Sequence, residues 1–229
     1  VSSVTGSDGD FQISSTDRFE EKHIVFSYKV IVATGYYDHP NMMRIPGEAL
    51  DKVQHYYSEA HPFFGKQVAV IGGKNSAVET ALDLYRNHVD VTLVYRGPAL
   101  GRHIKYWVLP DIQNRICKGE IRAFLSTEVI EIRPREIVLE TPEGITTLPN
   151  DFVFAMTGYH PEVSFLKSMG IEFETEALIP KHDPETLETN VKGLYVAGAI
   201  VAGRMTNRIF IENGRLHGQK IVDRFLSIR

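Results

Sequence analysis

The stretch VAVIGGKNSAVETALDLY, residues 68–85, decides the fold that the sequence predicts. An apolar run ends at Gly72 and Gly73, and apolar residues then recur with the spacing of a helix. This order is typical of a dinucleotide-binding unit, in which backbone N–H groups and the helix dipole face a pyrophosphate. Lys74 replaces the second glycine of the fingerprint G-x-G-x-x-G/A, whereas Ala77 fits its third position. The stretch therefore predicts either a nucleotide site with an altered turn or an ordinary buried strand and amphipathic helix.

Composition places the chain among globular proteins. Its 229 residues are 43% hydrophobic and 24% charged, which is enough apolar material for one large domain or two small ones. The formal net charge of −4 provides no general field that would attract a nucleic acid. No apolar run reaches the roughly 20 residues that span a bilayer, and residues 1–20 lack the pattern of a signal peptide. We therefore expect a cytoplasmic protein that binds neither nucleic acid nor membrane.

The cysteine and histidine content argues against dithiol and metal chemistry within these residues. The single cysteine, Cys117, excludes an intrachain disulfide and a Cys-x-x-Cys pair. The histidines are scattered without the spacing of a zinc site, so we expect no metal. We expect Cys117 to pack under its helix as a small apolar residue rather than to react.

Strands and helices alternate after Gly65 as in an α/β protein. The run from QVAVIGG through the helix SAVETALDLYRNH to the strand VTLVYRG predicts a right-handed parallel crossover. A helix around YWVLPDIQNRICKG, hairpin strands and the buried strand DFVFAMTG follow, and the strand GLYVAGAIV then precedes a final helix. Before Gly65 the sequence predicts a short antiparallel strand pair and a linker rich in Pro, Asn and Gly.

The strand after the first helix ends in residues that favour a phosphate group. A ribose with a free 2′-OH is usually held there by Asp or Glu, whereas a 2′-phosphate needs cations. Basic residues in an ordinary solvated loop would give the same pattern. After a glycine turn, however, they favour NADPH over NADH as the bound nucleotide, because arginine and lysine bind phosphate. The predicted 2′-phosphate contacts are Arg96, Arg102 and Lys105. The predicted pyrophosphate contacts are Gly72, Gly73, Lys74, Asn75 and Ser76.

Two further stretches carry a more specific resemblance. VIVATGYYDHP (30–40) and VFAMTGYHPEV (153–163) share an apolar strand followed by Thr-Gly, Tyr and Pro. They resemble the paired crossover strands of flavoproteins with two dinucleotide-binding domains. In that family the first strand leads out of the FAD domain and the second leads back from the NAD(P)H domain. TNVKGLYVAGAI (189–200) resembles the second FAD motif of the family, although Ala199 replaces the aspartate expected after Gly198.

Together with YRGPALGRHIKYWVLPDIQNRI and YVAGAIVAGRMTNRIFIENGRLHG, these stretches resemble the bacillithiol-disulfide reductase family. Its members are thioredoxin-reductase-like flavoproteins without the Cys-x-x-Cys motif. The resemblance runs from about Tyr28 to the end of the chain, and VQHYYSEAHPFFGK stands where thioredoxin reductases carry their dithiol. It implies a preceding FAD-binding segment, with a cysteine near the flavin, that is not among these residues.

The resemblance implies an α/β fold in which a Rossmann-like NADPH domain with a parallel sheet is inserted into an incomplete FAD-binding domain. The implied domains are 1–45 (first FAD segment and crossover), 46–157 (NADPH-binding domain) and 158–229 (returning FAD segment). Thr157 and Gly158 would line the nicotinamide side. The implied FAD contacts are Thr34, Gly35, Gly198, Ala199 and the start of the last helix near Arg208 and Ile209.

The implied activity is the transfer of electrons from NADPH through FAD to a low-molecular-weight disulfide, in an enzyme that forms a homodimer. No catalytic residue is assigned within this chain. Two alternatives stay open: a ferredoxin or flavodoxin NADP reductase, which needs no substrate-reducing cysteine, and a truncated NADP-binding module without catalysis. His55, Tyr56 and Tyr57 occupy the position of the dithiol and could approach the flavin, but packing residues would give the same pattern.

Overall fold

The computed structural model describes residues 1–101, 103–174, 176–205 and 208–227. The chain divides into two compact units. One, here called the two-segment unit, consists of Val1–His39 and Tyr159–Arg229; the other, the inserted unit, is Pro40–Gly158. These divisions lie near the predicted domain boundaries at 45/46 and 157/158. The assignment of the two units to FAD and NADPH stays a prediction.

The two-segment unit begins with an antiparallel three-stranded meander. Its strands are β1 (Ser3–Ser7), β2 (Asp10–Thr16) and β3 (Lys22–Ser27), and β4 (Val30–Val32) follows. The predicted antiparallel pair is confirmed, since β2 and β3 pair antiparallel, but β3 ends at Ser27 and β4 begins only at Val30, so HIVFSYKVIVATG forms two strands rather than one. The strand is interrupted because its two parts join different sheets: β3 pairs with β2, whereas β4 belongs to another sheet.

The inserted unit contains a five-stranded parallel sheet of order β5-β12-β6-β7-β8 and an antiparallel sheet of order β11-β10-β9. The elements are β5 (Val53–Gln54), β6 (Gln67–Ile71), α1 (Asn75–Arg86), β7 (Asp90–Tyr95), α2 (Leu109–Cys117), β8 (Arg122–Leu125), β9 (Glu128–Arg133), β10 (Glu136–Thr141), β11 (Gly144–Pro149) and β12 (Phe152–Ala155). The parallel sheet confirms the predicted α/β fold. The predicted hairpins are correct for β9 to β11, whereas β8 joins the parallel sheet.

Strand β6 is buried on both faces, as expected of a central parallel strand. Val68 and Val70 pack in one apolar cluster with the buried side chains of α1, including Ala77. Ala69 and Ile71 point the other way, into a cluster with buried residues of β9 and β10. The alternation of side chains along a strand thus divides the core into two layers. Each fully buried valine contributes about 1.5–3 kcal/mol to stability.

After β12 the chain returns to the two-segment unit. Its elements there are α3 (Val163–Ser168), β13 (Leu194–Val196), a 3-10 helix (Gly198–Ala202), α4 (Ile211–Gly214) and α5 (Leu216–Ser227). Strand β13 pairs in parallel with β4. No helix among the described residues has both the length and the apolar character that crossing a membrane requires.

The predicted start of the final helix near Arg208 and Ile209 is wrong. The first helical residue is Ile211, and a turn at Arg215 separates α4 from α5. The Asn213 side chain accepts a hydrogen bond from the backbone N–H of Phe210 (2.7 Å) and donates one to the Arg208 carbonyl (2.8 Å). These bonds hold the preceding backbone out of the helix.

Candidate functional site

The glycine turn lies where β6, β7, β12 and α1 meet. Gly72 has φ +141°, and a Cβ there would lie 2.5 Å from the Met156 carbonyl oxygen and 2.9 Å from the Ala77 Cβ. The Gly72 N–H donates to the Val94 carbonyl oxygen at 2.9 Å. Both the backbone conformation and the close packing therefore require glycine. The small side chain of Ala77 permits this approach of helix to strand, as the fingerprint predicts.

The turn sits at the point where the strand order of the parallel sheet reverses. From β6 the chain moves through α1 to β7 and then β8 on one side, while β12 and β5 lie on the other side. The carboxyl ends of β6 and β12 are adjacent, because Ile71 pairs with Ala155. In open α/β sheets a ligand binds in the crevice at such a switch point. The arrangement can therefore hold an extended nucleotide.

Lys74 does not distort the turn. Its backbone is extended, with φ −111° and ψ −171°, a conformation that any residue adopts. Its side chain is exposed, and α1 begins at the next residue, Asn75. The first N–H groups of this helix, including that of the exposed Ser76, lie at its positive end. From this exposure we expect the Lys74 ammonium to face solvent or a phosphate rather than to block the approach of a ligand, and this stays a prediction.

Tyr95 is a residue of this site that sequence reasoning missed. A Cβ at Gly73 would overlap the Tyr95 ring, and a Cβ at Gly97 would lie 2.5 Å from it. The ring at the end of β7 therefore rests against the backbone of both glycines. An aromatic residue two positions before a glycine was the available signal, but only the folded chain brings the ring to Gly73.

The predicted 2′-phosphate residues differ in their surroundings. Arg96 is exposed directly after β7. The Lys105 ammonium lies 2.8 Å from a Glu79 carboxylate oxygen, so a carboxylate already partners its charge. The Lys105 backbone N–H donates to Asn75 Oδ1 at 2.8 Å, which brings this loop to the first turn of α1. Arg102 lies outside the described residues. The binding roles of all three stay predictions.

Thr157 and Gly158 follow β12 and are bonded to the start of the inserted unit. The Thr157 hydroxyl donates to the Asn41 carbonyl oxygen at 2.6 Å, and the Asn41 N–H donates to the Gly158 carbonyl oxygen at 2.9 Å. Gly158 has φ +88°, which favours glycine. Met156, whose carbonyl oxygen lies close to Gly72, directly precedes this pair. The role of the pair as a nicotinamide contact stays a prediction.

Four of the predicted FAD contacts of the two-segment unit lie at one sheet edge. Thr34 and Gly35 follow β4, and Gly198 and Ala199 follow β13, its parallel neighbour. The N–H of residue 197 donates to the carbonyl oxygen of residue 32 at 2.9 Å, which extends the pairing. The structure therefore brings these four residues together.

Arg208 and Ile209, the other two predicted FAD contacts, precede α4 in the same unit. A Cβ at Gly214 would lie 3.1 Å from Ile209 Cγ2 and 3.8 Å from Gly198 Cα. The end of α4 thus lies between Ile209 and the turn after β13. The binding roles of Arg208 and Ile209 stay predictions.

His217 is a second residue that the sequence did not reveal. It lies on α5, and its Nδ1 accepts a hydrogen bond from the Gly198 N–H at 3.0 Å. Burial lowers the pKa of His217, and the positive charges of Lys220 and His182 lower it further. The neutral form, whose Nδ1 can accept, is thereby favoured. Nothing in the local sequence pairs a histidine with a glycine so far along the chain.

Tyr57 and His55, two of the residues at the dithiol position, contact other side chains of the inserted unit. The Tyr57 hydroxyl donates to the Asp83 carboxylate on α1, and its ring packs edge-on against Phe154 with centroids 5.2 Å apart. Burial first, and then Asp83, raise the pKa of Tyr57. His55 Nε2 lies 3.7 Å from the buried carboxylate of Glu48. Tyr57 is therefore a packing residue, in line with the alternative stated above; Tyr56 is exposed.

The prediction that Cys117 packs under its helix is wrong. Cys117 is the last residue of α2 and is exposed. The helix buries Ile112 instead, because Ile112 lies on the face that α2 turns to the core. A redox role for Cys117 is not supported by this placement alone.

Comparisons with known proteins agree with this geometry. Residues 1–198 match a family model described as pyridine nucleotide-disulphide oxidoreductase. Bacilliredoxin reductase Bdr of Bacillus subtilis (strain 168) is 50% identical over 192 residues, which make up 83% of this chain and 59% of that protein. The chain thus spans less than two thirds of that relative.

Two solved structures resemble the whole chain. Bacillithiol disulfide reductase Bdr (YpdA) from Bacillus cereus matches with a TM-score of 0.96 and 42% identity, covering 99% of this chain and 70% of that one. The protein of the same name from Staphylococcus aureus matches with a TM-score of 0.91 and 37% identity, covering 99% and 69%. The resemblance stated from the sequence motifs is therefore confirmed.

Proposed function

Because the chain belongs to the pyridine nucleotide-disulphide oxidoreductase family, we propose that it supplies the NADPH-binding unit and part of the FAD-binding unit of a flavin-dependent disulfide reductase. The proposed substrate is a low-molecular-weight disulfide of the bacillithiol type. Relatives named for this activity are longer than the chain, which covers 59% of one and 70% of another. The activity is therefore proposed for a longer protein that includes these residues.

The packing of Gly72 is the observation that carries the proposal. The turn places backbone N–H groups at the positive end of α1, at the switch point of a parallel sheet. A side chain at Gly72 would collide with β12 and α1, whereas Lys74 points outward from an ordinary extended backbone. These observations support a turn that can accept a pyrophosphate despite the missing second glycine.

The residues of this chain would bind and orient the two cofactors. When bound, NADPH and FAD supply the hydride and electron transfer, with the sum NADPH + H⁺ + RSSR → NADP⁺ + 2 RSH. The turn from Gly73 to Ser76 would hold the pyrophosphate, and Arg96 would meet the 2′-phosphate. Thr157 and Gly158 would border the nicotinamide. The thiol that exchanges with the substrate would come from outside these residues.

The edge formed by β4 and β13 would bind FAD mainly through backbone groups. Ala199 offers no carboxylate, so the amide groups that follow β13 would take the place of a side-chain contact. The Gly198 N–H is bonded to His217, which fixes the orientation of this loop. A homodimer, a cytoplasmic location and the absence of nucleic-acid partners remain predictions.

The nucleotide site is tested by thermal unfolding of the purified chain with NADPH and, separately, with NADH. A ligand at 100 times its Kd stabilises the folded state by about 2.7 kcal/mol, which moves Tm by several degrees. We expect a larger shift with NADPH, and Arg96→Ala to reduce it without changing the NADH shift. Arg135→Ala, which removes another exposed arginine, between β9 and β10, is the control. A folded chain that responds to neither nucleotide would contradict the proposed site.

The substrate is tested in the longer protein. NADPH oxidation is followed with bacillithiol disulfide and, in parallel, with ferredoxin as acceptor. Turnover with the disulfide supports the proposal. Turnover with ferredoxin alone would replace it by the ferredoxin–NADP reductase alternative.

A further inference from the structure

We propose that Tyr106 and Trp107 form an aromatic platform on which the adenine ring of the nucleotide stacks. The proposal rests on the proposed nucleotide site and names a subsite within it. It concerns residues that belong neither to the glycine fingerprint nor to the predicted 2′-phosphate contacts. Its basis is the exposure, the anchoring and the position of these two side chains.

Both rings are exposed although both are large and apolar. Tyr106 is 82% exposed and Trp107 is 63% exposed. Their centroids are 4.8 Å apart at an interplanar angle of 90°, so the pair presents an edge and a face to solvent. Adjacent exposed aromatic rings leave an apolar patch that gains free energy when a flat partner covers it.

The segment that carries the pair is anchored on several sides. Ile104, 6% exposed, packs in the core of the inserted unit. The Lys105 backbone N–H is bonded to Asn75 Oδ1 at 2.8 Å, and the Lys105 ammonium to Glu79 at 2.8 Å. The same ammonium lies 5.8 Å from the centroid of the Trp107 ring, within cation–π range. A preformed surface of this kind binds with little loss of conformational entropy.

The positions of Asn75 and Glu79, which hold Lys105, indicate which class of ligand fits beside the aromatic pair. Asn75 is the first residue of α1, directly after the glycine turn, and Glu79 is one helical turn further along the same helix. The aromatic pair therefore stands beside the phosphate end of the predicted site. A ligand that places phosphates on this turn and a flat heteroaromatic ring next to them is an adenine nucleotide. Base–aromatic stacking supplies roughly five- to 140-fold in affinity.

Trp107 is the single tryptophan of the chain, so its fluorescence reports on this platform directly. The probe is 2′,5′-ADP, which carries the adenine and the 2′-phosphate but no nicotinamide. Because it does not accept energy from tryptophan as reduced nicotinamide does, a change in emission reports a change around the indole. We expect saturable quenching with 2′,5′-ADP and none with oxidised nicotinamide mononucleotide, which does not absorb tryptophan emission.

Variants at Trp107 measure the contribution of the ring. We expect Trp107→Leu to weaken 2′,5′-ADP binding roughly tenfold by calorimetry, and Trp107→Phe, which keeps an aromatic face, to restore most of the affinity. Phe64→Leu is the matched control, since Phe64 is a similarly exposed aromatic residue (65%) elsewhere in the inserted unit. Thermal unfolding of each variant checks that it is folded.

The outcomes separate this proposal from the proposed function. If Trp107→Leu binds 2′,5′-ADP as tightly as the unaltered chain, the platform is overturned while the nucleotide site stands. An equal loss in Phe64→Leu also overturns it. If the unaltered folded chain binds neither 2′,5′-ADP nor NADPH, both proposals fail. A further outcome is that Trp107→Leu keeps its nucleotide affinity but loses self-association. This result would assign the two rings to a contact between protein chains and overturn the platform.

Discussion

The turns after β6 and β13 follow the same plan but are held in different ways. Each has a glycine within two residues of the end of a buried parallel strand, and each departs from its family motif, at Lys74 and at Ala199. At Gly72 backbone and side-chain atoms crowd the Cα, and a helix of 12 residues follows. At Gly198 an added Cβ would meet no atom of the described residues within 4 Å, and a 3-10 helix of five residues follows.

The difference in packing between the two turns indicates which motif positions tolerate substitution. Packing from three sides fixes the shape of the first turn, so the outward-pointing Lys74 side chain leaves it unchanged. The second turn is positioned by strand pairing and by one hydrogen bond to a titratable side chain, His217. The geometry of the second turn should therefore respond to pH and to single polar substitutions. The geometry of the first turn should respond instead to substitutions that change side-chain volume.

The largest expected effect is that of Gly72→Ala. The added methyl group would meet the Met156 carbonyl and Ala77, and φ +141° is unfavourable for alanine, so we expect a loss of about 2–4 kcal/mol in the free energy of unfolding. Gly198→Ala has φ +73° but open space, and should cost about 1–2 kcal/mol. Urea unfolding of both variants measures the two values, with Gly101→Ala as a control at an uncrowded glycine. Equal losses at Gly72 and Gly198 would break the comparison.

A smaller effect is expected from the contact between Gly73 and Tyr95. Gly73→Ala places a methyl group against the Tyr95 ring, which can move aside, so the loss should be roughly 1–2 kcal/mol. In a Tyr95→Ala background the same substitution should cost less, giving an interaction energy of about 0.5–1.5 kcal/mol. A double-mutant cycle by urea unfolding tests this. Additive losses would show that the ring does not shape the turn.

Local pattern predicted the first turn better than it predicted the second. The continuous apolar run of β6 and the glycine at its end are encoded within residues 67–77, so the parallel sheet and the turn could be predicted. The His217 contact to Gly198 and the Tyr95 contact to Gly73 join residues far apart in sequence, and only tertiary packing creates them. The start of α4 was misplaced for a related reason, since bonds from the Asn213 side chain, and not helix propensity, set it.

The smallest effect is expected at His217, and it depends on pH. Burial lowers the pKa of His217 in the folded state below its unfolded value of about 6.5. Between those two values the unfolded chain binds a proton that the folded chain does not, so stability is full above pH ~6.5 and falls as the pH drops. His217→Asn places an oxygen near the position of Nδ1 but does not titrate, so it should flatten this part of the profile of Tm against pH.

His217→Leu separates the hydrogen bond from the titration. Leucine removes the acceptor for the Gly198 N–H, so Tm should fall at every pH and the slope below pH ~6.5 should also disappear. If the unaltered chain and His217→Asn lose stability in parallel between pH 7 and 5, His217 does not contribute to the pH dependence. The expected pH response of the second turn would then be wrong, and its contrast with the turn at Gly72 would rest on the space around the two glycines and on the hydrogen bond to His217.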